Sequence, residues 1–196
     1  MTERSGTVAI SERSLAAIRP YRPADHGAGR RLWAEYAQEH RALYGSSEAG
    51  GPDAGAAAEP GADPAGPEAG AEFEEYLARL DLSGMWVADR ADEGVVGLVG
   101  LLLDGRTGRV EPLVVTARRR GQGIGRMLLQ HVAREARARG MTALTGSPES
   151  RNTAAIRCLH AAGYDALSAV QLTIDLTRRP YDWQDGLEFQ NLRFRY

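Results

Sequence analysis

The feature that most constrains the fold is a strand pattern that runs directly into a glycine-rich turn and then into an amphipathic helix. The strand pattern covers residues 109–115. Three glycines mark the turn: Gly121, Gly123 and Gly125. Four apolar residues then recur at helical spacing: Ile124, Met127, Leu128 and Val132. Gly140 ends this pattern as a C-cap. A strand joined to a helix in this way predicts a sheet that is covered by a helical layer.

The remaining patterns add helices and strands in an order typical of one mixed α/β domain. Before the turn they predict a short strand from Ile18, helices over 27–43 and 72–82, and strands over 85–89 and 94–103. After the helix that begins near Ile124, they predict a buried strand over 141–145, a helix over 152–162, and strands over 169–176 and 187–196. Short turns separate the three strands before the glycines, so we expect an antiparallel meander there.

Two segments lack the composition of a folded core. Residues 1–17 carry little pattern and are expected to form a flexible N-terminal arm. Residues 45–71 consist only of Gly, Ala, Pro, Ser, Asp and Glu. Because they have no aromatic or branched aliphatic side chains, they cannot bury enough surface to offset their ordering entropy. We therefore expect a disordered acidic insertion within a single domain that spans residues 18–196.

Composition argues against several classes of function. One cysteine and four scattered histidines make a metal site unexpected. A net charge of −2 gives no general attraction to nucleic acid. All 24 basic residues are arginine, which excludes a P-loop and any mechanism that needs a Schiff-base lysine. No stretch is long and apolar enough to cross a bilayer, and residues 1–14 lack the apolar core of a signal peptide. We therefore expect a cytoplasmic protein with no membrane partner.

The glycine-rich turn has the properties of a diphosphate-binding site. The first N–H groups of a helix lack intrahelical partners, and the helix dipole adds positive charge at the same end. Glycines permit positive φ and remove the Cβ atoms that would keep a phosphate away. Four arginines flank the turn: Arg118, Arg119, Arg120 and Arg126. The spacing G-x-G-x-G differs from the G-x-G-x-x-G of dinucleotide-binding domains, and a meander precedes it instead of a βαβ unit.

Three motifs, in this order along the chain, resemble those of the GNAT superfamily of N-acetyltransferases. Residues 111–115 resemble the fourth strand of that family. Residues 120–125 resemble its acyl-CoA signature, R/Q-x-x-G-x-G/A. Residues 152–156, followed by Gly163 and Tyr164, are similar to its N-x-x-A-x…G-F/Y element. The resemblance covers roughly residues 18–176.

The resemblance implies an α/β domain with a central, mostly antiparallel, twisted sheet whose fourth and fifth strands splay apart between flanking helices. It implies acetyl-CoA as the co-substrate, with the pantetheine arm between the splayed strands and the diphosphate on the glycine-rich turn. The residues that it implies for binding acetyl-CoA are Leu113, Val114, Val115, Arg120, Gly121, Gln122, Gly123, Ile124, Gly125, Arg126 and Asn152.

The same resemblance suggests Glu111 as the general base, acting through water on the acceptor amine. The alternative is a surface carboxylate paired with an arginine. The family's usual general acid, a tyrosine, falls on Leu159 here. His160, Tyr164 and Ser147 are other possible acids, and catalysis without a dedicated acid is the preferred interpretation.

Other residues also have two interpretations. Asn152 could bind pantetheine or serve as a helix N-cap, or do both. The arginines beside the turn favour phosphate over a nucleic-acid patch. Cys158 is interpreted as a packing residue and not as a nucleophile. Trp33, Tyr36 and Trp86 could line an acceptor pocket, although core packing explains them equally well.

The sequence thus predicts an acetyl-CoA-dependent N-acetyltransferase that acts on a primary amine of a small molecule or peptide. The main alternative is a non-catalytic acyl-CoA-binding regulatory or interaction module, consistent with the missing tyrosine. A toxin that acetylates charged tRNA is a further alternative, which the acidic insertion disfavours. No nucleic-acid partner is expected, and the aromatic tail over 181–196 is a candidate homodimer interface.

Overall fold

A computed structural model describes residues 16–44, 73–78, 84–174, 176 and 183–196. The strands are β1 Ala17–Pro20, β2 Met85–Arg90, β3 Gly94–Asp104, β4 Thr107–Val115, β5 Ala143–Thr145, β6 Asp185–Phe189 and β7 Leu192–Arg195. The helices are α1 His26–Tyr44, α2 Ile124–Ala138 and α3 Thr153–Ala161, and residues 73–78 are also helical. The expected insertion over 45–71 and the first 15 residues of the expected arm lie outside the described residues.

Five strands form one sheet in the order β1-β2-β3-β4-β5. The pairs from β1 to β4 are antiparallel, while β4 and β5 run parallel. Within them, β2, β3 and β4 form the meander that the short turns predicted. The parallel pair arises because α2 carries the chain back across the sheet between the two strands. This arrangement confirms the predicted mixed α/β domain with a mostly antiparallel sheet.

The strands β4 and β5 separate soon after they begin to pair. Their register joins Thr107 to Ala143 and ends where Arg109 faces Thr145. β4 continues to Val115, so its second half has β3 on one side and, among the described residues, no strand on the other. The implied splay is therefore present, and it opens toward the glycine-rich turn.

Each face of the sheet carries its own apolar cluster because side chains alternate along the strands. Trp86, Val96 and Val99 lie on the face covered by α2, with Leu128 and Val132 of that helix. On the opposite face, Leu32 of α1 packs with four residues of the strands and the 73–78 helix: Phe73, Met85, Val87 and Leu98. The sheet thus separates α1 from α2.

The C-terminal third differs from the sequence-based expectation. Residues 169–174 and 176 form no strand in the structure, so the strand predicted over 169–176 is wrong for them. The strand predicted over 187–196 is instead a hairpin of β6 and β7, because Gln190 and Asn191 adopt positive φ values of 54° and 60°. Two such residues make the tight turn whose twist matches that of paired strands. The strand predicted as buried over 141–145 is shorter and only partly buried, because β5 is the edge of the sheet.

Candidate functional site

The glycine-rich turn presents backbone donors at the mouth of α2. Gly121 and Gly123 have φ values of 71° and 83°, a region that side chains other than glycine rarely adopt. A Cβ atom at either position would meet nothing within 4 Å, so the space above the turn is open. The first intrahelical bond runs from the Met127 N–H to the Gly123 carbonyl at 3.0 Å. The N–H groups of residues 124–126 therefore precede the hydrogen-bond ladder and are available to an anion.

The segment before the glycines is held in place by α1. The Glu35 carboxylate accepts hydrogen bonds from the Thr116 hydroxyl at 3.0 Å and from the Ala117 N–H at 3.1 Å. Thr116 is buried, with 5% of its surface exposed. A carboxylate with two donors is a strong and directional contact. The helix on one face of the sheet thus fixes the start of the turn that leads to the helix on the other face.

Three of the four flanking arginines form ion pairs within the chain. Arg118 and Arg119 contact the Glu93 carboxylate at 2.5 and 2.7 Å. Arg120 pairs with Glu39 of α1 and donates to the Val115 carbonyl at 2.9 Å. Among the described residues, no carboxylate pairs with the exposed Arg126. Arg126 is therefore the flanking arginine best placed to meet a phosphate without first leaving a partner.

The second half of β4 directs some of its backbone groups into the opening beside β5. The Thr116 N–H donates to the Val96 carbonyl at 3.0 Å, and Val115 faces Gly97. Because backbone groups in an antiparallel ladder alternate in direction, those of Val114 also point toward β3. The groups of Leu113 and Val115 point the other way. Since Arg120 occupies the Val115 carbonyl, the Leu113 N–H and carbonyl and the Val115 N–H face the opening.

Glu111 lies on β4 beside this opening. Its side chain is 48% exposed, and Arg109 Nε contacts its carboxylate at 3.1 Å. Its carbonyl oxygen accepts a hydrogen bond from the Tyr76 hydroxyl. The structure thus contains the surface ion pair that was the alternative to a general base. To act as a general base, the Glu111 carboxylate must release Arg109 and contact the acceptor amine instead.

A cluster of side chains that the sequence analysis did not assemble faces Glu111. The His40 Nε2 of α1 contacts the Glu149 carboxylate in the β5–α3 loop at 2.6 Å. Tyr36 lies beside His40, with ring centroids 6.4 Å apart. Burial raises the pKa of Tyr36, and the nearby charges of Glu149, Glu111 and Glu39 raise it further. Carboxylates from α1, β4 and the β5–α3 loop are therefore all near enough to disfavour ionisation of the Tyr36 hydroxyl.

The residues considered as general acids occupy different environments. Leu159 is buried, with 9% of its surface exposed, and a Cβ at Gly146 would lie 2.8 Å from its Cδ2. His160 and Ser147 are exposed. Burial raises the pKa of Tyr164 to about 12, and within the described part of the chain its hydroxyl has no hydrogen-bond partner. The position of the family's tyrosine thus serves core packing in this chain.

The start of α3 combines capping with close helix packing. The Asn152 Oδ1 accepts from the Ala155 N–H at 3.0 Å, which confirms its role as the N-cap. The side-chain NH₂ group of Asn152 takes no part in this hydrogen bond and is the group that the family resemblance expects to contact pantetheine. A Cβ at Gly125 would lie 2.9 Å from the Cys158 Sγ, so this glycine lets α2 and α3 approach. Burial raises the pKa of the Cys158 thiol, in agreement with a packing role.

The aromatic residues proposed for an acceptor pocket divide between the two faces of the sheet. Trp33 and Tyr36 lie on the α1 face, with ring centroids 5.7 Å apart, and Trp33 also contacts Tyr76. Trp86 is 3% exposed and packs against His131 of α2 on the other face. Placing Trp86 in a shared pocket with Trp33 and Tyr36 is therefore wrong, because its side chain points to the α2 face of the sheet while α1 covers the opposite face.

Neither a metal site nor a membrane-spanning helix is found in the part of the chain that the structure describes. Within residues 16–44, 73–78, 84–174, 176 and 183–196, no three His, Cys, Asp or Glu side chains are grouped so that they could hold a metal ion. None of the helices in those ranges has both the length and the apolar character needed to cross a membrane.

Comparisons with known proteins agree with the fold. The acetyltransferase (GNAT) family model matches residues 55–164. No curated protein sequence matches the chain. A GNAT-family acetyltransferase from Staphylococcus aureus has 14% identity and a TM-score of 0.56, over 82% of this chain and 94% of that one. A ribosomal-protein-alanine N-acetyltransferase from Brucella melitensis has 22% identity and a TM-score of 0.54, over 75% and 83%.

A third solved structure, yncA from Salmonella typhimurium with its cofactor acetyl-CoA, has 24% identity and a TM-score of 0.52, over 76% of this chain and 79% of that one. Similarity at these identities establishes the fold alone. The family model covers more than half of the chain, including the glycine-rich turn and α3. The chain therefore belongs to the GNAT family of acetyltransferases.

Proposed function

We propose that the chain binds acetyl-CoA and transfers its acetyl group to a primary amine of a small molecule or peptide. The observation that carries this proposal is the open glycine-rich turn, in which Gly121 and Gly123 have positive φ. The N–H groups of residues 124–126 follow these glycines and have no intrahelical hydrogen-bond partner. The acetyl-CoA bound to yncA supports the same co-substrate for a related fold. The proposal includes a cytoplasmic location and a homodimer.

The residues fit a thioester carrier along the whole opening. The turn offers its amides to the diphosphate, and Arg126 adds a charge beside it. Backbone groups of Leu113 and Val115 are placed to pair with the amides of an extended arm, as an additional strand would. The side-chain NH₂ group of Asn152, whose Oδ1 caps α3, donates a hydrogen bond to the pantetheine arm in this proposal. Bound acetyl-CoA supplies an acetyl thioester and a thiolate leaving group.

The chain's own residues then act on the acceptor and the acetyl carbonyl. Glu111 takes a proton from the acceptor ammonium, directly or through water, and leaves a neutral amine. The amine nitrogen forms a bond to the carbonyl carbon while the carbon–sulfur bond breaks, and the sulfur retains the electron pair. The Leu113 N–H stabilises the negative charge that develops on the carbonyl oxygen. Once the bond to carbon has formed, the nitrogen loses its second proton to water, and the released thiolate takes up a proton through water, since Leu159 cannot donate one. The proton held by Glu111 returns to solvent, so the transfer yields the amide, the free thiol and one proton.

The buried Leu159 favours a second candidate function, a non-catalytic module that binds acyl-CoA. The two functions differ in one measurement, the release of free thiol from acetyl-CoA in the presence of a panel of amines. Acetyl transfer predicts release that depends on at least one amine and on Glu111. A module predicts binding of acetyl-CoA with no amine-dependent release. If the chain showed no affinity for acetyl-CoA, both functions would be excluded.

The contacts of Glu35 predict a role in positioning the turn. We expect Glu35→Ala to raise KM for acetyl-CoA by about tenfold, equivalent to about 1.4 kcal/mol of binding free energy, with little change in kcat. Glu35→Gln should restore most of the affinity, because a carboxamide can accept from the Ala117 N–H and donate to the Thr116 hydroxyl. Steady-state kinetics of both variants, with thermal melting to monitor folding, test this role. An unchanged KM in Glu35→Ala would contradict it.

A further inference from the structure

A contact between two distant residues holds the loop that precedes α3 to α1. The His40 Nε2 lies 2.6 Å from a carboxylate oxygen of Glu149, and the two residues are 109 positions apart. Both side chains are part-buried, with 30% and 39% of their surface exposed. Because an ionised carboxylate can only accept, the hydrogen bond requires a proton on Nε2, which the imidazolium and one neutral tautomer both provide. The contact therefore joins the second half of α1 to the β5–α3 loop.

Glu149 also holds the residue that caps α3. Its carbonyl oxygen accepts a hydrogen bond from the Asn152 N–H at 2.9 Å, which closes a turn over residues 149–152. The Asn152 Oδ1 accepts from the Ala155 N–H at 3.0 Å. Because the backbone N–H and the side-chain oxygen of Asn152 are both held, the position of its NH₂ group follows the position of Glu149.

The helix α1 thus contacts both segments expected to bind acetyl-CoA. Glu35 accepts two hydrogen bonds from residues 116–117, at the start of the glycine-rich turn. Five positions later, His40 holds the loop that begins where β5 leaves β4. Trp33, Tyr36 and His40 form a series of rings on α1, with centroids 5.7 and 6.4 Å apart, because residues three and four apart share a helix face. The helix therefore sets the spacing between the turn and the loop.

We propose that His40 is a positioning residue for acetyl-CoA, which holds Glu149 and, through the turn over 149–152, directs the Asn152 NH₂ group toward the pantetheine arm. This inference rests on the proposed function, because it requires acetyl-CoA to bind in the opening beside β4. His40 itself contacts neither the co-substrate nor the acceptor. Its loss leaves the amides of the glycine-rich turn in place, so only the contact with the arm is weakened.

Calorimetric titration of the full chain with acetyl-CoA tests the proposal without an identified acceptor. We expect His40→Ala to weaken binding about fivefold, the effect of losing one neutral hydrogen bond. His40→Gln should restore most of the affinity, because its amide N–H can donate to Glu149 as Nε2 does. His26→Ala is the matched control, since it removes a 2.7 Å contact with Glu74 at the first residue of α1. This control should bind with wild-type affinity, and thermal melting verifies that each variant is folded.

A second substitution tests whether His40 acts through Asn152. Asn152→Ser keeps a side-chain oxygen that can cap α3 and removes the NH₂ group. In this background, His40→Ala should cause no further loss of affinity, because the group that it positions is already absent. A full fivefold loss in the Asn152→Ser background, or wild-type affinity in His40→Ala, would overturn this inference alone. A wild-type chain that did not bind acetyl-CoA would instead overturn the proposed function, and this inference with it.

Discussion

Gly123→Asp is expected to abolish acetyl-CoA binding. Gly123 is the N-cap of α2 with φ at 83°, and a Cβ there would project into open space above the turn. The aspartate carboxylate would therefore occupy the region proposed for the diphosphate and repel it, while the residue strains the backbone. We expect at least a hundredfold loss of affinity, equivalent to about 2.7 kcal/mol or more, in a calorimetric titration.

A matched control separates this effect from backbone strain. Gly105 lies in the β3–β4 turn, also has a positive φ, at 57°, and also has open space at its Cβ position. It lies at the opposite end of β4 from the glycine-rich turn. Gly105→Asp should therefore destabilise the fold to a similar extent while leaving the affinity for acetyl-CoA intact. Normal binding by Gly123→Asp would show that the diphosphate lies elsewhere.

Glu111→Gln is expected to lower kcat by about a hundredfold or more, the range typical for loss of a positioned base. The carboxamide has nearly the same shape as the carboxylate but cannot take a proton from an acceptor ammonium. Affinity for acetyl-CoA should stay unchanged, because the side chain of Glu111 does not form the turn or the β4 backbone edge. The effect is measured as the rate of thiol release during single-turnover acetylation of an amine that the wild-type chain acetylates.

The control for this variant is Glu135→Gln, which removes a carboxylate from the last turns of α2, far along the helix from its N-terminus. It should have wild-type kinetics. If Glu111→Gln acetylates the amine at the wild-type rate, Glu111 serves only as the ion-pair partner of Arg109, and the base must be sought elsewhere. Tyr36, His40 and Glu149 would then be the next candidates, because they contact one another in turn and the charge of Glu111 acts on Tyr36.

Patterns that depend on neighbouring residues were readable from the sequence. The strand pattern over 85–89 corresponds to β2, and the glycines marked the start of α2 where the structure has it. The motif order also led to the correct family and to the splay of β4 and β5. The strands and the helix start follow from local periodicity and from backbone angles that only glycine adopts readily, whereas the splay was implied by the resemblance to the family.

Contacts between distant residues could not be read in this way. Glu35 and Thr116 are 81 positions apart, and His40 and Glu149 are 109 apart, so no local pattern connects them. The segment over 169–176 has the alternating pattern of a strand but no strand partner within the described chain. A pattern within one segment cannot show this, because a strand forms only where a second strand is available to pair with it. The β6–β7 turn was missed because Gln190 and Asn191 reach positive φ without a glycine.

The most direct test of the account is a nuclear magnetic resonance titration of the labelled chain with coenzyme A. If the backbone amides at the mouth of α2 bind the diphosphate, the largest amide shifts should fall on residues 121–126, with smaller shifts at Leu113 and Val115. Gly105→Asp should give the same pattern, and Gly123→Asp should give none. Saturable shifts confined to another part of the chain would contradict the account.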